Sequence, residues 1–246
     1  MALVAHYKLN ELTGTSGANS IVDSSGNNHH GTPAAAVVGA GGKRQSAIVF
    51  DGTADYIAIS DSAAFILSAT LSLTCWAKND NSGLSVFEAL LAKEDRTPES
   101  EDFEWRFSIN SDEKLEFTFW SDNATTFTVI RSDAAIDIDE WRHYAVTKSG
   151  TTLVLYVDGK VVASTITNNN GHDGETIRNG AADIRIGDWE WAGTVRTWEG
   201  VIDDARIYDE ALSAGQIRGI ASEGGYRARY MAGFVGDIVK WFRTRY

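Results

Sequence analysis

The 246-residue chain has one cysteine, two prolines and no long apolar run. With Cys75 as the single thiol, no disulfide can form within the chain, and no Cys/His cluster is available for zinc or an iron–sulfur centre. No stretch approaches the ~18 consecutive apolar residues of a membrane-spanning helix, so we expect no transmembrane segment. The first ten residues alternate apolar and polar, which is not the pattern of a secretory signal, and we expect none.

Basic residues are scarce relative to acidic ones. The chain has 22 Lys and Arg against 34 Asp and Glu, a formal net charge of −12. Binding to phosphate backbones needs a cationic face, so this balance argues against a nucleic-acid partner. It leaves calcium, sugars and proteins as partners. Because no covalent staple is available, packing or a hard cation with oxygen ligands must supply the stability.

Alternation of apolar and polar residues dominates the chain up to about residue 208, between clusters of Gly, Asn, Asp and Ser. In residues 70–78, for example, Leu71, Leu73 and Cys75 occupy one face and more polar residues the other. About a dozen short strands without intervening helices predict an all-β fold, either a two-sheet antiparallel sandwich or a barrel. The many aromatic residues favour the sandwich.

One stretch predicts the connectivity as well as the strands. Residues 141–148, 152–157 and 161–167 each alternate in the manner of a strand. Short turns at Ser149-Gly150 and Asp158-Gly159 separate them, and each turn supplies a glycine that tolerates positive φ. We therefore expect these three strands to form an antiparallel meander.

Helical spacing begins only after Tyr208. Ser213 is a suitable N-cap for a short helix to Ala221. Residues 226–245 allow a second, amphipathic helix with a basic polar face, although Gly233 and Gly236 weaken it. We predict that its apolar side docks onto a partner subunit, with an anionic membrane or its own sandwich as alternatives. The predicted docking residues are Tyr230, Phe234, Ile238, Trp241 and Phe242.

Several segments follow one another in an order that is typical of a known family. They include AIVFDG at 47–52 with DYI at 55–57, WRHYAV at 141–146 with LYVDGK at 155–160, and GVIDDARIY at 200–208. Together they resemble a laminin G-like jelly roll of the concanavalin A-like lectin/glucanase superfamily. The resemblance implies a two-sheet antiparallel jelly-roll sandwich over residues 1–222, followed by a basic tail at 223–246.

The resemblance also implies a structural calcium site. In this family the loop that corresponds to residues 23–31 commonly meets the closing strand around a calcium ion. The matching positions are Asp23, Asn28 and Asp203. Calcium takes six to eight oxygen ligands, which a Gly- and Asn-rich loop can supply. The alternative is that Asp23 forms an Asx turn with nearby backbone N–H groups.

The sequence offers no convincing catalytic pair. Laminarinase-type relatives carry a Glu-x-Asp-x-x-Glu strand, because a retaining glycosidase needs two carboxyl groups about 5–5.5 Å apart. The nearest string here is DIDE at 137–140, which lacks that spacing. A second acidic cluster of Glu101, Asp102 and Glu104 has no matching partner. We therefore predict that the protein is not an enzyme.

Three tryptophans suggest a ligand surface. Trp189, Trp191 and Trp198 lie in one short stretch, after a segment rich in asparagine. Indole rings stack on the apolar faces of sugars, so these residues could form a glycan-binding cleft. Buried packing or contact with another subunit are the alternatives.

We expect a non-catalytic surface or attachment module of a larger assembly. A laminin G-like domain with a docking tail and no export signal fits a bacteriophage virion, as a capsid decoration or tail protein. We expect it on the virion or an extracellular surface. The alternative is a carbohydrate-binding module or adhesin that recognises glycans.

Overall fold

A computed structural model of the chain describes residues 2–35, 37–80, 87–95, 102–121, 126–169, 176–191 and 194–223. In these ranges the chain forms eighteen β-strands, a short 3-10 turn at Ala63–Phe65 and the helix α1 (Ala214–Ser222). The strands are β1 (Leu3–Tyr7), β2 (Thr32–Pro33), β3 (Val38–Gly41), β4 (Ser46–Asp51), β5 (Ile57–Ile59), β6 (Thr70–Asn79), β7 (Glu88–Asp95), β8 (Asp102–Ile109), β9 (Leu115–Trp120), β10 (Phe127–Ser132), β11 (Arg142–Ser149), β12 (Thr152–Val157), β13 (Lys160–Val161), β14 (Ser164–Asn169), β15 (Ile184–Ile186), β16 (Glu190–Trp191), β17 (Thr194–Val195) and β18 (Glu199–Tyr208).

The strands form two eight-stranded antiparallel sheets and a small hairpin. Sheet one has the order β13-β12-β11-β6-β18-β4-β3, and β1 also pairs with β18. Sheet two has the order β14-β10-β9-β8-β7-β15-β5-β2. The hairpin is formed by β16 and β17. The predicted two-sheet jelly-roll sandwich is confirmed.

The hydrophobic core contains side chains from both sheets. The alternation in residues 70–78 gives the predicted faces, since Leu71, Leu73 and Cys75 lie in this core with aromatic residues such as Trp105 and Trp198. Cys75 is a free, buried thiol, and burial raises its pKa well above the usual range. It therefore behaves as a small packing residue rather than a nucleophile.

The predicted meander is wrong in its third strand. Residues 161–167 do not continue as one strand in the first sheet. β13 pairs with β12 through Lys160 and Val161, as expected, but β14 pairs with β10 in sheet two. Val162 and Ala163 lie between the two strands. The chain therefore crosses from one sheet to the other at this corner of the sandwich.

Strand β18 changes neighbour along its length, and this change creates the site described below. On one side β18 pairs with β6, at residues 200–203 and again at 206–208. On the other side it pairs first with β4, through residues 199–202, and then with β1, through residues 205–208. A β-bulge lies between the two stretches, where Asp204 has the positive φ of +53°. Bulges of this kind redirect side chains locally.

Helix α1 covers part of the outer face of sheet one, the face turned away from sheet two. Ser213 caps it in a capping box with Gln216, which confirms the predicted helix start. Ile217 and Ile220 of the helix pack with Tyr208 and Tyr156 of the sheet. The predicted tail docking residues lie in 224–246, outside the described residues. Where the chain is described, no helix has the length and apolar character needed to cross a bilayer.

Candidate functional site

A polar cavity of about 550 Å³ opens beside the bulge of β18. Arg206 points into it from the outer face of sheet one, whereas its neighbours Ala205 and Ile207 belong to the core. We call this space the bulge cavity. Its lining residues are His6, Lys8, Asn10, Lys43, Arg44, Gln45, Asp204, Arg206 and Glu223.

Asp204 is the buried centre of an ionic network in the bulge cavity. It is 3% exposed and lies 2.7 Å from Nε2 of His6, 2.8 Å from Nε of Arg44 and 3.0 Å from Nη2 of Arg206. Burial opposes ionisation of Asp204, but the hydrogen bond from His6 and the charges of Arg206 and Arg44 outweigh it and lower its pKa. Asp204 is therefore ionised and accepts hydrogen bonds.

Glu223 ties α1 to the same network. Its Oε2 lies 3.2 Å from Nη1 of Arg44 and 2.7 Å from Nη2 of Arg206. Arg44 also donates from Nη2 to the carbonyl oxygen of Ile220 near the end of the helix. The two arginines thus join β1, the 42–45 turn, β18 and α1, and they hold the walls of the cavity in one arrangement.

A second group of polar side chains lies beside the cavity on the outer face of sheet one. Trp76 pairs with His143 on one side and with Asp203 on the other, and Lys43 Nζ lies 4.7 Å from the centre of the Trp76 ring. Burial lowers the pKa of His143 to about 4, so its ring is neutral at pH 7. Burial raises the pKa of Asp203 to about 6, although its Oδ2 accepts a hydrogen bond of 2.8 Å from the backbone of Arg44. The bulge cavity therefore lies next to a polar layer in which His143 is neutral at pH 7, whereas Asp203, with its pKa of about 6, is largely ionised.

The charge of the bulge cavity differs from that of the whole chain. Four cationic side chains (Lys8, Lys43, Arg44, Arg206) and two carboxylates line it, although the chain has a net charge of −12. Both carboxylates are bonded to the two arginines. Lys8, Lys43 and the amide of Gln45 remain to meet a ligand, whereas the Asn10 amide is hydrogen-bonded to Lys8 and Ser46. Such a surface suits a ligand with hydroxyl groups and one negative charge.

Two of the three residues predicted to hold calcium, Asp23 and Asp203, accept hydrogen bonds from the backbone of the chain itself. Asp23 is 5% exposed, and its oxygens accept hydrogen bonds from the backbone N–H groups of His6 (3.0 Å), Ser25 (2.8 Å) and His29 (3.0 Å) and from Ser25 Oγ (2.8 Å). Asn28 is exposed and has a φ of +62°. Among the described residues, no group of three or more His, Cys, Asp and Glu side chains could hold a metal ion. The Asx-turn alternative accounts for the contacts of Asp23, and calcium binding stays a prediction.

Thermal unfolding tests the calcium prediction. Calcium at about 100 times its dissociation constant would raise the free energy of unfolding by ~2.7 kcal/mol, because it binds only the folded chain. The melting temperature should then fall on addition of chelator, and an Asp23→Asn variant should show a smaller fall. Equal melting temperatures in calcium and in chelator would contradict the prediction.

The structure corrects the role predicted for two of the three tryptophans. Trp189 is 2% exposed, and the Arg106 guanidinium carbon lies 3.9 Å from the centre of its ring. Trp198 is 0% exposed and belongs to the core. Neither ring is open to a sugar, so both act in packing, the alternative that the sequence left open. The side chain of Trp191 lies outside the described residues.

Three of the acidic residues weighed for catalysis are engaged in ion pairs. Asp102 pairs with Arg178, Glu104 with Lys93 and Asp137 with Arg142. Glu104 is 1% exposed, and burial raises its pKa to about 7 despite its contact with Lys93. A carboxyl group with a shifted pKa can mark a catalytic site. Glu104, however, is closed to substrate and is bonded to the buried Lys93. Glu101 lies outside the described residues.

Sequence reasoning missed the bulge cavity. Its residues come from both ends of the chain, from His6 to Glu223, and only Asp204 and Arg206 belong to one of the motifs quoted above, GVIDDARIY at 200–208. One local signal was present: strict alternation would direct one of the adjacent acids Asp203 and Asp204 of β18 into the core. A bulge removes this conflict, because it redirects a side chain.

A family model described as the concanavalin A-like lectin/glucanases superfamily, for a laminin G domain, matches residues 51–218, which is more than half of the chain. No curated protein sequence matches.

Solved structures share the fold at low sequence identity. Domain 4 of AbnA, a GH43 extracellular arabinanase from Geobacillus stearothermophilus solved in complex with arabinotriose, has a TM-score of 0.63 and 22% identity, over 89% of this chain and 98% of that domain. The binding domain of Paraclostridial Mosquitocidal Protein 1 has a TM-score of 0.67 and 17% identity, over 90% of this chain and 52% of that domain. The botulinum neurotoxin serotype D ligand binding domain, in complex with N-acetylneuraminic acid, has a TM-score of 0.59 and 13% identity, over 90% of this chain and 50% of that domain. The chain thus spans about half of the two toxin domains.

Proposed function

Because the chain belongs to the concanavalin A-like lectin/glucanases superfamily, we propose that it is a non-catalytic binding module that holds an acidic saccharide in the bulge cavity. The observation that carries this proposal is the ionic network around the buried Asp204, which lines an open polar cavity of about 550 Å³. A volume of a few hundred cubic ångström is typical of small-ligand sites.

The choice of an acidic saccharide follows from the groups that remain unengaged by the network. A ligand carboxylate or sulfate would meet Lys8 and Lys43, while hydroxyl groups would meet the amide of Gln45. Among the described residues that line the cavity there is no Phe, Tyr or Trp, so polar contacts rather than stacking on such a ring would supply the affinity.

The solved complexes support a saccharide as the ligand class. The arabinanase domain was solved with arabinotriose and the serotype D domain with N-acetylneuraminic acid, which is itself an acidic sugar. Both share only the fold with this chain, so they support the class of ligand and not the position of the site.

Binding to acidic glycans should depend on Lys43. We expect the full-length protein to bind glycans that carry uronic or sialic acid, and Lys43→Ala to weaken this binding about 5- to 30-fold, because one charge-assisted contact of ~1–2 kcal/mol is lost. Binding should also weaken with rising salt. A glycan array followed by calorimetry on the hits would measure both effects.

Lys160→Ala is the matched control, because Lys160 is an exposed lysine on β13 that does not line the bulge cavity. It should bind as the wild type does. Equal loss in both variants would point to a general charge effect, and equal binding of neutral and acidic glycans would contradict the proposed ligand class.

A second role, attachment within a larger assembly such as a bacteriophage virion, is favoured by the basic, amphipathic sequence of residues 226–245. In this role the sandwich would be displayed on the surface of the particle while the tail docks onto another subunit. Mass spectrometry of purified particles tests it, and absence of the chain from them would count against it.

A further inference from the structure

The outermost strands of the two sheets differ in how well their free edges are protected. β2 and β13 have two residues each, with Pro33 in one and Lys160 in the other, and β3 is a four-residue strand with two glycines. Short strands, proline and lysine are common devices that prevent edge-to-edge pairing. β14 has six residues, Ser-Thr-Ile-Thr-Asn-Asn, with neither charge nor proline. β1 also pairs on one side only, but the 23–25 segment covers its free edge, since the His6 N–H donates to Asp23 and the Ser24 N–H donates to the His6 carbonyl oxygen. β14 is thus the least protected edge among these described strands.

The backbone of β14 presents hydrogen-bonding groups away from the sheet. Asp133 and Ala163 lie opposite each other, next to the cross-strand pair of Ser132 and Ser164. The Asp133 N–H donates to the Ala163 carbonyl oxygen at 2.9 Å, so this is a hydrogen-bonded position. Antiparallel pairs alternate between bonded and non-bonded positions, so Thr165 and Thr167 direct their N–H and C=O groups to β10. Ser164, Ile166 and Asn168 then direct theirs outward, where no described strand pairs with them.

The side chains along this edge are also open. Thr165, Thr167 and Asn168 are exposed, and Ile166 is 45% exposed although its cross-strand partner Ile130 is buried in the core. A β-branched isoleucine at the margin of the core gains from being covered, because each square ångström of apolar surface removed from water contributes about 25 cal/mol.

We propose that two copies of this chain pair through β14, antiparallel and related by a twofold axis that passes beside Ile166. In this register each Ile166 exchanges both backbone hydrogen bonds with the other, and each Ser164 does so with Asn168 of the second copy. Only outward-facing residues are bonded, so the register agrees with the alternation set by β10. The two copies of sheet two then form one continuous antiparallel sheet.

The strand is self-complementary in this register. Ile166 meets Ile166, Thr165 meets Thr167, and Ser164 meets Asn168, so apolar, hydroxyl and amide side chains each face a compatible partner. No charged residue of one β14 opposes a charge of the other, which matters because each chain has a net charge of −12. A charged peptide from another protein would find no complementary charge on the strand, which favours a second copy as the occupant.

A lysine placed on this edge should abolish pairing. We expect the full-length protein to be dimeric at micromolar concentration by light scattering after size exclusion, and Ile166→Lys to be monomeric with an unchanged circular dichroism spectrum. Val161→Lys is the matched control, because Val161 is 60% exposed on the other edge strand β13, and this variant should stay dimeric. A monomeric wild type, or a dimer that survives Ile166→Lys, would overturn the proposal.

Cysteine crosslinking tests the register itself. Bonded antiparallel pairs have Cα atoms about 5.5 Å apart, which is within the range of a disulfide. Ile166→Cys should therefore form a covalent dimer under mild oxidation, and the native Cys75 gives no background because it is 0% exposed. Ser164→Cys should crosslink at least tenfold less, since its partner in the second copy is Asn168. Equal crosslinking of the two variants, or none of Ile166→Cys, would overturn the register.

Discussion

Replacing Trp198 with alanine is expected to lower the free energy of unfolding by about 3–5 kcal/mol. Trp198 is 0% exposed in the core, so alanine would leave a large cavity that the surrounding side chains fill only in part. Its backbone N–H donates to the Gly187 carbonyl oxygen at 2.8 Å, and its carbonyl oxygen accepts from the Gly52 N–H at 3.2 Å. The indole therefore packs at a point where three segments meet.

Urea unfolding followed by circular dichroism would measure this loss. Trp198→Phe should cost less than the alanine variant, because phenylalanine refills part of the volume. Val161→Ala, at a 60% exposed site, should change the stability by no more than about 0.5 kcal/mol. If Trp198→Ala kept wild-type stability and lost glycan binding, Trp198 would be a ligand contact, as the sequence predicted.

The fold was largely predictable because period-two alternation is a local signal. β6 shows this most clearly, since its apolar positions Leu71, Leu73 and Cys75 all lie in the core. The same signal failed at residues 161–167, where β13 and β14 belong to different sheets. Alternation shows which side chains are buried but not which neighbouring strand they face, and both sheets bury their inner faces in the same core.

The role of an aromatic residue was less predictable than its position. Trp189 and Trp198 lie near each other in the sequence, as a glycan platform would require, but both are buried. A tryptophan contributes the same local pattern whether it packs in a core or faces a ligand, so burial decides the role. The surrounding strands, which are distant in sequence, determine that burial.

The bulge cavity was not predictable from any short segment because long-range pairing brings its residues together. β1 reaches β18 only through the closing pairs at residues 205–208, and α1 brings Glu223 to the same place. The network joins the two ends of the domain, as a disulfide could in a chain with more than one cysteine. Its two arginines bond to the carboxylates in bidentate or bridging geometry. Such contacts fix the orientation of the side chains in addition to stabilising the ion pairs.

Replacing Asp204 with alanine is expected to lower the free energy of unfolding by about 3–5 kcal/mol, because a buried charge that loses its partner is poorly compensated. The side chains of Arg44 and Arg206 are only 15% and 11% exposed, so water cannot fully replace the lost carboxylate. Asp204→Asn should cost less, since the amide oxygen still accepts hydrogen bonds from His6 and Arg206. Asp80→Ala is the control, because Asp80 forms an exposed pair with Lys78 and should cost at most about 1 kcal/mol.

The stability that Asp204 contributes to the folded chain should decrease as the pH falls. The pKa of Asp204 is lowered in the folded chain, so the unfolded chain binds a proton first as the pH falls. Its contribution to stability is therefore fully present above the ordinary pKa of an aspartate, about 4, and is lost as the pH falls further through the folded value. The stability difference between wild type and Asp204→Asn, measured by urea unfolding from neutral pH downwards, should stay constant to about pH 5 and then shrink. A difference that grows towards acid would show that Asp204 is protonated in the folded chain and is not the ionised centre of the network.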